Sequence, residues 1–248
     1  MNLTSLAGLG IVLVSAILLA VFAFLYRRSP FVFRKIPAFS RLRQAINFVV
    51  EDGTRLHISL GRGSLVTPFG AAALSGLSLL RKIGETTSLS DRPTIATSGD
   101  GLVSLAAQDT LRASLEAVAP NQPFNILNSR FTGPTPFSYA AGTMPAIRDE
   151  GVATNVLIGN FGVEAALLVD AAERQGALII AASDNLPAQA VLYAATKEPV
   201  LGEELYAAGA YLQAGAFHAA SLRVQDILRW GIIAIIVVGA LLKLVGIL

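Results

Sequence analysis

The apolar positions fall into three patterns along the chain. Residues 5–26, SLAGLGIVLVSAILLAVFAFLY, form an uncharged run of 22. A helix of that length rises about 33 Å, enough to cross a hydrocarbon layer of roughly 30 Å. No basic region precedes the run and Arg27-Arg28 follows it, so an uncleaved anchor is expected rather than a signal peptide. At the other end, WGIIAIIVVGALLKLVGIL (230–248) is a second span, whose Lys243 reaches the headgroups by snorkelling. Between them, short apolar runs alternate with Ala/Leu-rich helical patterns. PTIATS precedes GLVSLAAQDTLRASLEAV, TNVLIG precedes VEAALLVDAAERQG, and ALIIAAS precedes PAQAVLYAATKE. FNILNS is a further strand pattern. Strand–helix alternation of this kind means crossover units and a mostly parallel sheet, and near-continuous apolar strands mean helices on both faces.

Ahead of this alternation, INFVVEDGTRLHISL (46–60) places two β-rich runs around Asp52-Gly53, which predicts a β-hairpin. Thr67-Pro68 predicts a helix start, with Gly84 near its end. The 129–151 segment, with three prolines and three glycines, reads as irregular with a short helix near 137–149, since Pro145 opposes a long one. From Leu201 to Leu248 there is no proline, so one helix of about 72 Å running into the second span is open, with Gly209 and Gly215 as break points. The expected organisation is a transmembrane helix (1–26), a basic juxtamembrane collar (27–45), an α/β domain (46–200), a long helix (201–229) and a second transmembrane helix (230–248). The fold class is α/β, a Rossmann-like, mostly parallel sheet with an N-terminal hairpin, flanked by transmembrane helices.

Charge adds an orientation. The collar holds Arg27, Arg28, Arg34, Lys35, Arg41 and Arg43 and no acid. Arg223 and Arg229 stand before the second span. The positive-inside rule then puts 27–229 in the cytoplasm and both termini outside. Six basic residues interleaved with Phe31, Phe33 and Phe39 beside a span point to anionic lipid as the partner. Residues 44–228 carry 11 Lys/Arg against 17 Asp/Glu, a net −6, so nucleic acid is excluded as a partner of the domain. The chain has no cysteine, which removes disulfides and thiolate chemistry.

The strand-to-helix turns are the candidate ligand site. Ser98, Gly99, Asp100 and Gly101 close one strand, Asn160 and Gly162 the next, Asp184 and Asn185 the third. In a parallel sheet all three lie at the carboxyl edge, where helix N-termini present free N–H groups. The full G-x-G-x-x-G fingerprint and the P-loop are absent, and so is G-x-S-x-G. His57 and His218 stand without metal-ligand spacing and read as structural or solvated. No catalytic residue, metal site or cofactor is expected. Charged residues are only 15% of the chain, against roughly 25% in an average soluble protein. Low-charge, Ala-rich helical faces point to a homo-oligomer or a larger membrane complex, and Tyr206, Ala210, Gln213 and Phe217 would line one helical side.

The segments TIATSGDGLVSLAAQDTLRASL and VLIGNFGVEAALLVDAAERQGALIIAASDNLPAQAVLYAA, with the N-terminal span and collar, resemble a family of bacterial membrane proteins catalogued as a domain of unknown function. The resemblance covers most of the chain. It implies a bacterial, membrane-anchored α/β protein and transfers no catalytic residue; with the two apolar runs and the charge bias, the expected location is a bacterial inner membrane, crossed twice. The expected function is a non-enzymatic assembly module; the alternative is a membrane-tethered nucleotide- or anion-binding sensor domain.

Overall fold

The computed structural model describes residues 3–29, 31–67 and 70–244, so the expected helix start at Pro68 lies outside the described residues. The chain divides into two units, Met1–Phe33 with Gly215–Leu248, and Arg34–Ala214.

The first unit holds the helices α1 (Leu3–Arg28) and α9 (Ala216–Leu244). Both are long and apolar enough to cross a membrane, over Gly8–Arg28 and Ala216–Leu244, and they pack on each other. Their large side chains, Ile11, Ile17, Ile235 and Ile236 among them, are mostly exposed, as a lipid-facing surface requires.

The second unit is an α/β domain with a five-stranded sheet: β1 (Arg55–Gly61), β2 (Ile95–Ser98), β3 (Ser129–Phe131), β4 (Val152–Asn160) and β5 (Leu178–Ser183). The order is β3-β2-β1-β4-β5 and every pairing is parallel. The connecting helices are α3 (Gly70–Thr87), α4 (Gly101–Val118), α5 (Pro136–Asp149), α6 (Ala165–Arg174) and α7 (Leu186–Ala195), with α2 (Pro37–Glu51) before the sheet and α8 (Glu204–Tyr211) after it. Strand alternation sends Leu56, Ile58 and Leu60 of β1 and Val156 and Ile158 of β4 into one core, with Leu42, Leu79, Leu80, Ile83, Leu205 and Ala208 of the helices. Leu157 and Ala181 point the other way, into a core with Tyr139, Phe161, Leu168 and Leu192.

The expected N-terminal hairpin is not formed. INFVVE belongs to α2, whose Phe39, Leu42, Ala45, Ile46 and Val49 recur at helical spacing and are all buried. Burial of that stripe outweighs the β propensity of Asn-Phe-Val-Val. Asp52 caps the helix, and Gly53, at φ 62°, turns the chain out of it, so Asp52-Gly53 is a helix stop. β1 then pairs in parallel with β2 and β4. Phe39, expected at the lipid surface, stacks on Tyr211 inside the domain, ring centroids 5.1 Å apart.

Two other boundaries differ, and the short helix expected near 137–149 forms as α5. The strand expected at FNILNS lies later, at Ser129–Phe131, because Asn125 accepts from the Leu127 amide and winds Ile126–Asn128 into a 3-10 turn. The 129–151 segment is ordered. α5 carries Pro145 within it and starts from a capping box between Thr135 and Ser138. The stretch from Leu201 is not one helix. α8 closes at Tyr211, Gln213 takes φ 57°, and α9 begins at Ala216. Gly209 lies inside α8, so Gly215 is the break point and Gly209 is not.

Candidate functional site at the carboxyl edge of the sheet

The chain builds the sheet outward from β1 in one direction, to β2 and β3, then returns to add β4 and β5 on the other side. The crevice of such a sheet lies outside the carboxyl ends of β1 and β4. Gly61 ends β1 at φ 71°, and a Cβ there would overlap the backbone of Asn160. The close approach is held by two bonds. Arg62 N donates to Asn160 O at 2.8 Å, and Gly99 N donates to Gly61 O at 2.9 Å.

Arg62 is thereby placed at the crevice. Its Nε donates to Glu164 Oε1 at 2.8 Å, and the Gly162 amide donates to the same oxygen at 2.9 Å. The Glu164 side chain is 1% exposed and that of Arg62 22%. Burial pushes the Glu164 carboxyl up, but the Gly162 amide and Arg62 outweigh it and hold the group below the usual carboxylate range. The second carboxylate oxygen, Oε2, is buried without a hydrogen-bond partner among the described residues.

The eight residues expected at this edge all lie there, and each polar side chain but one has an internal partner. The Asp100 amide donates to Ser98 Oγ at 3.1 Å, and Asp100 Oδ1 caps α4 by accepting from Val103 N at 3.0 Å. Gly99 has no room for a Cβ, which would sit 2.5 Å from Arg62 Cγ and 2.9 Å from Gly133 O. Gly101 faces open space. Asn160 Nδ2 donates to Asp184 Oδ1 at 2.7 Å, while burial pushes the Asp184 carboxyl up from its ordinary value. Asn185 opens α7 without a side-chain cap bond, and its amide donates to Ser183 Oγ at 3.2 Å. Three carboxylates, Asp100, Glu164 and Asp184, thus stand at this edge against one guanidinium, which disfavours a free anion.

The turns also carry apolar side chains outward. Val66 is 79% exposed, Leu102 50%, Phe137 69%, Val163 55% and Leu186 77%, one beside each of the five strand-to-helix turns. Residues of this size are ordinarily buried, and their repetition along one edge forms an apolar rim around a polar centre in which Glu164 Oε2 is left without a partner.

Sequence reasoning missed Arg62, Glu164 and a polar seam under the edge. Glu164 belongs to a turn that was examined, but only the small polar residues there were singled out. Arg62 stands between Gly61 and Gly63 directly after LHISL, a signal hidden by taking 55–60 as the return strand of a hairpin. The seam begins at His57, fully buried on β1. Its Nδ1 lies 2.6 Å from Asn155 Oδ1, an acceptor only, so Nδ1 carries the proton and Nε2 accepts from Thr97 Oγ1 at 2.9 Å. Burial drives the His57 pKa down to about 4. Beside it, the Tyr139 hydroxyl bonds Ser59 Oγ and accepts from Gly61 N at 3.2 Å. These groups are closed to solvent and structural.

The remaining expected residues are dispersed. Arg34 pairs with Glu204, Arg41 with Glu198 at 3.0 Å, and Arg43 donates to Tyr211 O at 2.9 Å, so half of the collar faces the domain's own acids and carbonyls. Arg27 and Arg28 close α1, and Arg28 lies 4.6 Å over the ring of Phe24. Lys35 stands between Arg34 and α2, at a shallow pocket it shares with Glu198 and Glu204. Tyr206 and Ala210 lie on α8, with Ala210 buried, Gln213 in the break and Phe217 on α9, so the four do not share one helical side. Among the described residues no group of three His, Cys, Asp or Glu could hold a metal ion.

Fold and edge define the class: a parallel α/β domain in a chain with two apolar terminal helices long enough to span a membrane. Within that class, the chain belongs to the family described as "Domain of unknown function (DUF6754)", whose model matches residues 2–248. No curated protein and no solved structure matches the chain.

Proposed function

We propose that the protein is a membrane-anchored, non-enzymatic assembly module whose α/β domain associates with further copies of itself through the carboxyl edge of its sheet. One observation carries this reading: the apolar rim of Val66, Leu102, Phe137, Val163 and Leu186. Most polar groups inside the rim are bonded to one another, and Glu164 Oε2, which is not, is already buried, so covering the rim desolvates few further groups. The rim is the same on every copy, which suits a self-complementary contact. Both spans lie in the bilayer of a bacterial inner membrane. Arg27 and Arg28 after the first span, and Arg223 and Arg229 before the second, support a cytoplasmic domain with both termini outside. In mild detergent the full-length protein runs at a discrete multiple of its 26.0 kDa chain mass. The double variant Phe137→Ser/Leu186→Ser runs at the single-chain mass with an unchanged circular-dichroism spectrum. A wild type of single-chain mass, or a variant that keeps the wild-type mass, overturns the proposal.

A second reading rests on Glu164 Oε2, buried and unpartnered beside Arg62. It is a membrane-tethered sensor whose nucleotide or related metabolite brings a hydroxyl donor to that oxygen and its anion to Arg62. A panel of nucleotides at millimolar concentration then raises the melting temperature of the full-length protein. A panel that leaves it unmoved ends this reading.

A further inference from the structure

In the unit formed by the two apolar helices, a groove of about 540 Å³ is lined by Phe22, Phe31, Arg223, Asp226, Ile227 and Trp230. Its wall is aromatic. Phe31, just beyond the end of α1, folds back edge-on to Phe22 and Tyr26, with centroids 6.1 and 5.3 Å apart. Trp230 is exposed at the rim. Trp and Tyr beside the end of an apolar span occupy the headgroup level of a bilayer.

The groove also holds two opposite charges that do not neutralise each other. Arg223 and Asp226 are three residues apart on α9, neighbours on one helical face that commonly pair. Instead the Arg223 guanidinium lies over the ring of Phe31, 5.3 Å from its centroid. Asp226 has no ion-pair partner among the described residues. Asp226 is exposed beside the apolar helices, so its carboxylate is open to a cation held at the groove.

We propose that this groove is a binding site for one phospholipid with a zwitterionic, primary-amine headgroup. The phosphate meets Arg223, whose guanidinium has no ion-pair partner among the described residues and offers N–H donors in the fork geometry a phosphate takes. The ammonium meets Asp226 and the face of Trp230. The acyl chains run past Phe22 and Ile227 along the two spans. A purely anionic headgroup satisfies Arg223 but sets its charge against Asp226, so charge complementarity selects the amine-bearing lipid.

The test is native mass spectrometry of the full-length protein released from nanodiscs of equimolar phosphatidylethanolamine and phosphatidylglycerol. Wild type retains phosphatidylethanolamine over phosphatidylglycerol by about tenfold, the worth of one hydrogen bond to a charged group. Asp226→Asn brings the ratio close to one. Arg223→Gln lowers the retention of both lipids. Gln225→Ala, exposed on the same helix and outside the groove, leaves the ratio unchanged. Equal retention by wild type, or a preference that survives Asp226→Asn, overturns the proposal.

Discussion

Replacing Arg62 by leucine lowers the melting temperature of the full-length protein by roughly 10 °C. The change leaves the Glu164 carboxylate in a place where its side chain is 1% exposed, with backbone amides but no positive charge to hold it. Removing one member of a buried ion pair costs about 3–5 kcal/mol, and the low end applies because Arg62 is partly exposed. A loss of about 3 kcal/mol in a chain of this length moves the midpoint by about 6–12 °C. Arg62→Lys, which makes one bond without the planar fork, falls between the two. The pair joins the end of β1 to the turn before α6, so its loss loosens the crevice on both sides. A variant that melts within 2 °C of wild type would show that the guanidinium is not what holds this edge.

Acid should act mainly through His57. Its pKa is about 4 in the fold and 6.5 as a free side chain. Burial is the main cause; Asn155 opposes it, and the nearby charges of Glu150 and Arg130 act in opposite directions. Above pH 6.5 the ring is neutral folded and unfolded, so it contributes no pH dependence. Between pH 6.5 and pH 4 the unfolded chain binds a proton that the fold refuses, and stability falls with pH. The accumulated loss is about 3 kcal/mol by pH 4. His57→Gln begins from lower stability, since it breaks the bonds to Asn155 and Thr97, but lacks this slope. Denaturant unfolding of both proteins at pH 7 and pH 4 isolates the difference. Equal pH slopes in the two would mean that the imidazole is reached by solvent in the folded state.

The parallel sheet was legible because β2, β4 and β5 are short, largely buried runs, each followed by a helical pattern, whereas β3 is Ser-Arg-Phe and carries no such signal. Asp100 and Asn185 stand where such signals predict, and so do the turns that carry the eight edge residues. The first strand was misplaced because Asn-Phe-Val-Val reads as β in isolation. Only the stripe from Phe39 to Val49, buried by α3 and the sheet, makes it helical. That one error concealed the switch point, and with it Arg62. The pairing of Arg62 with Glu164 joins residues 102 positions apart and has no local signature. His57 was read as structural or solvated; it is buried, and its partners, on the strands either side, follow from register alone. The break after Tyr211 was announced by Gly215, but the left-handed conformation of Gln213 within it carries no signal in the sequence.

The contacts between α2 and the segment after β5 bear on how the chain is made. Arg34 meets Glu204 across 170 positions, Arg43 meets the Tyr211 carbonyl across 168, and the Tyr211 hydroxyl donates to the Arg34 carbonyl. The first and last helices of the domain are therefore clasped together. A growing polypeptide emerges at about 5–20 residues per second, and domains fold as units during that time. The clasp stays open until residue 211 has left the ribosome, when every strand of the sheet has already been delivered. α3, β2 and β4 arrive in turn to cover the stripe of α2 and the two edges of β1. The clasp is therefore the last part of the domain that synthesis can close.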